Sequence, residues 1–160
     1  MKPAPVGILL AAGQGTRFGS NKLLYPLADG TSMAVASART LHTVLAHCIA
    51  VVNDAQGSVA RLLAEAGLQV IANPHAPNGM GTSIACGVAA SPNAGGWVIA
   101  LADMPNIPAR VIQSVADGLT CGADIIAAHR DTLELIDTQD STVILDIDTP
   151  ASLPVHPPGH

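Results

Sequence analysis

Aromatic side chains are nearly missing from this sequence: one Trp, one Tyr and one Phe stand among 160 residues. A core must therefore be built from Ala, Val, Ile and Leu. With 49% of the chain apolar, such aliphatic richness suits parallel strands covered on both faces. Charge is scarce too. Seven Lys and Arg against twelve Asp and Glu leave a formal net charge of −5, so no basic face exists to neutralise a nucleic-acid backbone. Long hydrophobic runs are absent, because Gly or Asp interrupts each apolar stretch before it reaches the about 20 residues that a bilayer-spanning helix needs. The opening Met1-Lys2-Pro3-Ala4-Pro5 lacks the hydrophobic segment and cleavage site of a signal peptide, and a cytoplasmic location is expected. The cysteines Cys48, Cys86 and Cys121 are odd in number, lack metal-type spacing and lie in apolar contexts. Buried reduced thiols are expected, not disulfides or a metal site.

What the sequence does have is a concentrated glycine turn. Val6 to Ala11 is an apolar run of strand length, and Gly13, Gly15 and Gly19 then open a loop that a side chain would obstruct. A turn of this kind leaves backbone N–H groups facing an anion, and Arg17 and Lys22 add two of the few positive charges. Two familiar glycine loops are excluded. A Walker loop needs Gly-Lys-Ser/Thr, whereas Gly19 is followed by Ser20-Asn21-Lys22. A dinucleotide fingerprint needs G-x-G-x-x-G, and Gly13 to Gly19 is one residue too long with Arg17 inside it. A triphosphate cradle and an ordinary glycine-rich βα turn remain, and Arg17 and Lys22 at these spacings favour the cradle.

Along the rest of the chain, strands and helices alternate. Ser32 is placed to cap an Ala-rich helix over Met33 to His47, with Val35, Ala38, Leu41 and Leu45 as its buried stripe. Strands are expected at Ile49 to Val52, Leu68 to Ala72, Gly95 to Ala102, Ala123 to Ala128 and Thr142 to Ile147. Helices are expected from Gly57-Ser58 to Gly67, over Ile84 to Ala90, and from Pro108 to Leu119. This pattern implies right-handed crossovers and a single three-layer αβα domain over residues 1–152, with a mostly parallel Rossmann-like sheet and a Pro-rich tail at 153–160. Ligands of such sheets bind beyond the carboxyl ends of the strands, where Gly13, Asn53, Asn73 and Asp103 all fall.

A triphosphate carries more charge than Arg17 and Lys22 neutralise, so a hard cation, magnesium above all, is expected to bridge its oxygens. Asp103 ends the most apolar strand and is the leading ligand, with a polar strand terminus as the plainer alternative. Asp146 and Asp148 share one strand face and are further candidates, although Asp148-Thr149 before Pro150 also reads as a helix cap. In the second glycine turn, Gly79-Met80-Gly81-Thr82-Ser83, the hydroxyls either cap the following helix or touch a phosphate. His42 and His47 are expected on a helix surface, and no Ser-His-Asp or Cys-His constellation is visible. The chemistry left is in-line attack of an acceptor phosphate on a nucleotide α-phosphorus, with Arg17, Lys22 and an Asp103-held cation stabilising the transferring group.

The motifs together resemble the MobA-like nucleotidyltransferases, and most of all their molybdenum cofactor cytidylyltransferase branch. The matching residues are Leu10-Ala11-Ala12-Gly13 through Gly15, Thr16, Arg17, Gly19 and Lys22, then Gly79 to Ser83, Ala102 to Pro105, and Asp146 to Pro150. The resemblance implies the nucleotide-diphospho-sugar transferase fold and a first loop, Leu10 to Lys22, that holds the triphosphate. It implies that Asn53 and Asn73, with Gly79, Gly81 and Ser83, lie along the nucleotide, and that Asp103 binds magnesium. The Ala-Ala-Gly loop resembles the CTP-using branch, where GTP users carry Ala-Gly-Gly. The implied reaction is CMP transfer to molybdopterin, with a molybdoenzyme or chaperone as a further partner and neither nucleic acid nor membrane involved. Two alternatives stay open: a sugar- or alditol-phosphate nucleotidyltransferase, and a nucleotide-binding homologue without turnover. The second arises because that branch carries a Gly-His-Pro segment on the acceptor side, whereas Ala128-His129-Arg130 here passes directly to Asp131 and Gly-His-Pro occurs nowhere.

Overall fold

The computed structural model describes residues 3–13 and 21–120. The expected strands at Ala123 to Ala128 and Thr142 to Ile147, the tail at 153–160 and Cys121 lie outside the described residues.

Four strands form a wholly parallel sheet: β1 (Val6–Ala11), β2 (Cys48–Val52), β3 (Gln69–Ala72) and β4 (Trp97–Leu101). Their order is β3-β2-β1-β4, so the chain steps outward from β1 on one side and returns to its other side for β4. Four helices alternate with the strands: α1 (Met33–Val44), α2 (Ser58–Glu65), α3 (Met80–Ala89) and α4 (Ala109–Thr120). None is long and apolar enough to cross a membrane among the described residues.

Strand periodicity divides the core in two. Leu9 and Ala11 of β1, with Ala50, Val52 and Val98, face a layer made by α1, α2 and α4. Ile8 and Leu10, with Ile49 and Val51, face α3, whose Ile84 and Val88 cover them. β1 and β2 are buried at every position, and this is why they read as unbroken apolar runs instead of alternating ones. The expected α1 stripe, Val35, Ala38, Leu41 and Leu45, is buried throughout. The α1 helix stops at Val44, short of His47, and Ser32 sits at its N-cap without a side-chain bond to it. His42 and His47 are exposed. The α3 helix begins at Met80, four residues earlier than expected, because Gly79 takes φ 119° and turns the chain directly into the helix.

Close approach on the α3 face depends on Gly87. A Cβ there would lie 2.7 Å from Cγ2 and 2.9 Å from Cδ1 of Ile8, which is fully buried on the central strand. The expectation of buried thiols holds for Cys48, whereas Cys86 is only partly covered. Burial raises the Cys48 thiol to about 11, with a backbone hydrogen bond from Gly7 opposing it.

Gly87→Ala is expected to destabilise by about 1–3 kcal/mol in urea unfolding, the usual cost of overpacking a close-packed interior. In that background Ile8→Val, which removes Cδ1, is expected to cost less than it does in the wild type; equal costs in both would show that the two residues do not collide. The raised Cys48 value stabilises the neutral thiol, so this contribution is complete below pH 9 and is lost as pH rises through about 11. Native protein at pH 8 is therefore expected to leave Cys48 unmodified by iodoacetamide, read by peptide mass spectrometry. Rapid native labelling of Cys48 would contradict the burial.

Candidate active site

The register lines up the strand ends. Ala11 lies beside Val52, Val52 beside Ala72, and Leu10 beside Leu101, so the next residues along each strand share one rim. Asn73, Asn53, Gly13 and Asp103 therefore follow the carboxyl ends of β3, β2, β1 and β4, in that spatial order. The rim continues the ladder for one step, since Asn73 N–H donates to Val52 O at 2.7 Å and Ala102 N–H to Leu10 O at 3.0 Å.

Lys22 and Asp103 meet there. The Lys22 ammonium is 2.7 Å from Asp103 Oδ2, and the two side chains are only 11% and 24% exposed. Each partner is fixed by a separate device. Lys22 opens a single 3-10 turn, Lys22–Leu24, capped by the Asn21 carboxamide oxygen accepting from Leu23 N–H at 3.2 Å, with Leu23 buried beneath. Asp103 is set by Ser37 of α1, a buried hydroxyl that donates to Ala102 O at 2.9 Å and to Met33 O at 3.2 Å. Sequence reasoning missed Ser37. Only its position on the buried α1 stripe face, where a polar side chain needs a partner, marks it.

Among the described residues, apart from its chain neighbours, a Cβ at Gly13 or Gly81 would meet no atom within 4 Å, and neither residue has a positive φ. Protein packing does not demand glycine at either position, unlike Gly87. Gly79 likewise has no neighbour, but its φ of 119° requires glycine for the turn.

The second glycine turn is braced from within. Asn73 is buried, and its Nδ2 donates to Thr82 Oγ1 at 2.9 Å and Ser83 Oγ at 3.0 Å, while its Oδ1 accepts from His75 N–H at 3.0 Å. The Thr82 hydroxyl also lies within hydrogen-bonding reach of the carbonyls of His75 (3.0 Å) and Gly79 (2.8 Å). These side chains tie the end of β3 to the start of α3, and Ser83 is buried with them. Asn53 is exposed. Leu10, Ala11 and Ala12 are buried below the rim and present backbone to it. Gly15, Thr16 and Arg17 of the first loop, and Asp146 and Asp148, lie outside the described residues. Among the described residues no group of three or more His, Cys, Asp or Glu could hold a metal ion, so Asp103 is the acid that the rim offers.

An αβα parallel sheet of this kind belongs to the class of folds that take ligands beyond the carboxyl ends of their strands, the edge where Asp103 and its partner Lys22 lie. The chain belongs to the family of the MobA-like NTP transferase domain, whose model matches residues 7–150. Among solved structures it is similar to a nucleotidyl transferase from Methanothermobacter thermautotrophicus, with 25% identity and a TM-score of 0.63 over 71% of this chain and 57% of that one. It also shares its fold with Rv0371c from Mycobacterium tuberculosis, at 24% identity and a TM-score of 0.65 over 75% of this chain and 63% of the other. A manganese complex of that mycobacterial protein matches at 22% identity with a TM-score of 0.60, over 75% of this chain and 62% of that one. The chain thus spans about three fifths of the length of these relatives. No curated protein sequence matches it.

Asn73→Ala leaves the buried Ser83 hydroxyl without its donor and frees the β3 end from α3. A loss of about 1–3 kcal/mol in urea unfolding is expected, with the m-value unchanged. A loss below about 0.5 kcal/mol, the size of an ordinary surface substitution, would show that the bracing is dispensable.

Proposed function

We propose that the chain is a magnesium-dependent nucleotidyltransferase that binds a nucleoside triphosphate, CTP by preference, at the carboxyl rim and transfers its nucleotidyl group to a phosphorylated acceptor of the molybdopterin type. The observation that carries this reading is the Lys22–Asp103 pair, a cation from the 3-10 turn before α1 and an acid just past β4, 2.7 Å apart. Gly13 and Gly81 support it, since among the described residues nothing packs against their Cβ positions and a phosphate chain could approach the backbone there. The family match supports the substrate class, and the Ala-Ala-Gly form of the first loop supports CTP.

The residues present suit magnesium. That ion is commonly held by one or two carboxylates together with substrate phosphates and water, and Asp103 supplies one such carboxylate without a protein cage. When bound, magnesium supplies charge neutralisation at the oxygens of the transferring phosphate. Lys22 binds the same phosphate chain from the β1 side, and in this reading Arg17 joins it from the first loop. Gly13 and Gly81 let backbone N–H groups approach the anion, and Asn53 lies along the nucleoside. Asn73 and Ser83 act by holding the second glycine turn, as their mutual hydrogen bond indicates. Asp146 and Asp148 are proposed as further metal ligands. The acceptor phosphate attacks the α-phosphorus in line, pyrophosphate leaves, and no covalent enzyme intermediate is needed. The absence of Gly-His-Pro favours one rival, nucleotide binding without turnover.

CTP with Mg²⁺ is expected to stabilise the protein by about 2.7 kcal/mol at a hundredfold excess over Kd, seen as a rise in Tm. Lys22→Ala and Asp103→Ala are each expected to abolish the rise. No rise with any nucleoside triphosphate would remove the reading. Pyrophosphate release with CTP, GTP or UTP and either molybdopterin or sugar phosphates then separates the acceptors, and binding without release under every pairing would favour the rival.

A further inference from the structure

We propose that the Lys22–Asp103 ion pair closes the rim to a bare divalent cation and that a nucleoside triphosphate opens it, so that cation and nucleotide bind as one coupled unit. The inference rests on the nucleotide-binding reading above and adds to it the form in which the metal arrives.

Asp103 Oδ2 is already occupied by an ammonium at 2.7 Å, within a pair that is mostly shielded from water. A divalent cation reaching that carboxylate must displace Lys22 or share the acid with it, and sharing gathers three positive charges around one negative charge. Among the described residues no cluster of further acids offsets that repulsion. A strongly hydrated ion gains too little from one shared carboxylate to give up its water. In the free protein Asp103 is therefore neutralised by Lys22 and has by itself little affinity for a cation alone.

A triphosphate changes the balance. Its oxygens offer Lys22 more negative charge than one carboxylate does, and Gly13, where a Cβ would meet no other described residue within 4 Å, lies on the same rim. Once Lys22 turns to the phosphates, Asp103 is left facing an anion without its counter-charge. That arrangement is unfavourable until a cation joins carboxylate to phosphate. Each ligand thus raises the affinity of the other, and the coupling is reciprocal.

The test uses Mn²⁺ without nucleotide, with the free ion followed by its paramagnetic resonance signal. Lys22→Met removes the ammonium while keeping the chain length, and it is expected to bind Mn²⁺ about tenfold more tightly than wild type, within the usual range of about 5–150-fold for coupled sites. The gain must vanish in Lys22→Met/Asp103→Asn. A Lys22→Met protein that binds Mn²⁺ no more tightly than wild type would overturn the proposal. A second arm titrates metal-free CTP in EDTA by calorimetry. Asp103→Asn, which leaves Lys22 unengaged by the carboxylate, is expected to bind CTP more tightly than wild type, and weaker binding overturns the proposal even if Lys22→Met does not fold. Failure of every form to bind CTP, with or without metal, would strike the nucleotide reading itself, while the Mn²⁺ arm would still report whether Lys22 blocks Asp103.

Discussion

The site depends on one adjacency, that of β1 and β4. Asp103 follows the fourth strand, Lys22 opens the 3-10 turn before α1, and they meet where α1 packs across the hydrogen-bonded neighbours β1 and β4. Had β4 joined the sheet beyond β3, the acid would stand three strands away from β1 and this ion pair could not form. An exposed ion pair contributes at most about 1 kcal/mol, whereas removing one partner of a buried pair costs about 3–5 kcal/mol. At 11% and 24% exposure this pair lies between those limits, so strand order and charge pairing support each other.

Two helices hold the rim from opposite faces. On one face α1 sends the buried Ser37 hydroxyl to the carbonyl just before Asp103, a tie across 65 residues of sequence. On the other, α3 lies so close to β1 that Gly87 cannot carry a Cβ without displacing Ile8, and this closeness brings the start of α3 to Asn73. A small residue and a buried hydroxyl thus do what larger side chains could not. The aliphatic core, poor in aromatics, allows it, because Ala, Val and Ile let helix and sheet backbones approach.

The four described β-strands and the polar residues after them were legible in the sequence: β1 and β2, buried on both faces, read as unbroken apolar runs, and Asn53, Asn73 and Asp103 mark where β2, β3 and β4 give way to the rim. The Lys22–Asp103 meeting was legible only through topology, since no local pattern joins two residues so far apart. What escaped was the inward use of polar groups. Ser37 looks like an ordinary small helical residue until its partner carbonyl is known. Asn73 sits at a ligand-facing edge, yet its carboxamide is spent on Thr82, Ser83 and the His75 backbone. The start of α3 was misjudged because glycine in a sequence reads as a break, whereas at Gly79 a positive φ starts the helix and Gly81 lies inside it. Partial exposure of Cys86 was hidden by its apolar neighbours in sequence.

Charge scarcity gives the arrangement its logic. A chain of net charge −5 repels an anionic ligand at long range, so its overall field does not steer a nucleotide inward. Attraction must come from contacts at the rim itself. There Lys22 is paired with Asp103 in a mostly shielded ion pair that presents little field to solvent. Such a pair discriminates by number and spacing of charges. A monovalent anion gives Lys22 no better partner than Asp103 already is, whereas in the proposed reading a chain of phosphates competes with that single carboxylate and leaves it to a cation. The same two side chains that neutralise each other in the free protein are therefore suited to separate only for a ligand that carries several negative charges together with a metal ion.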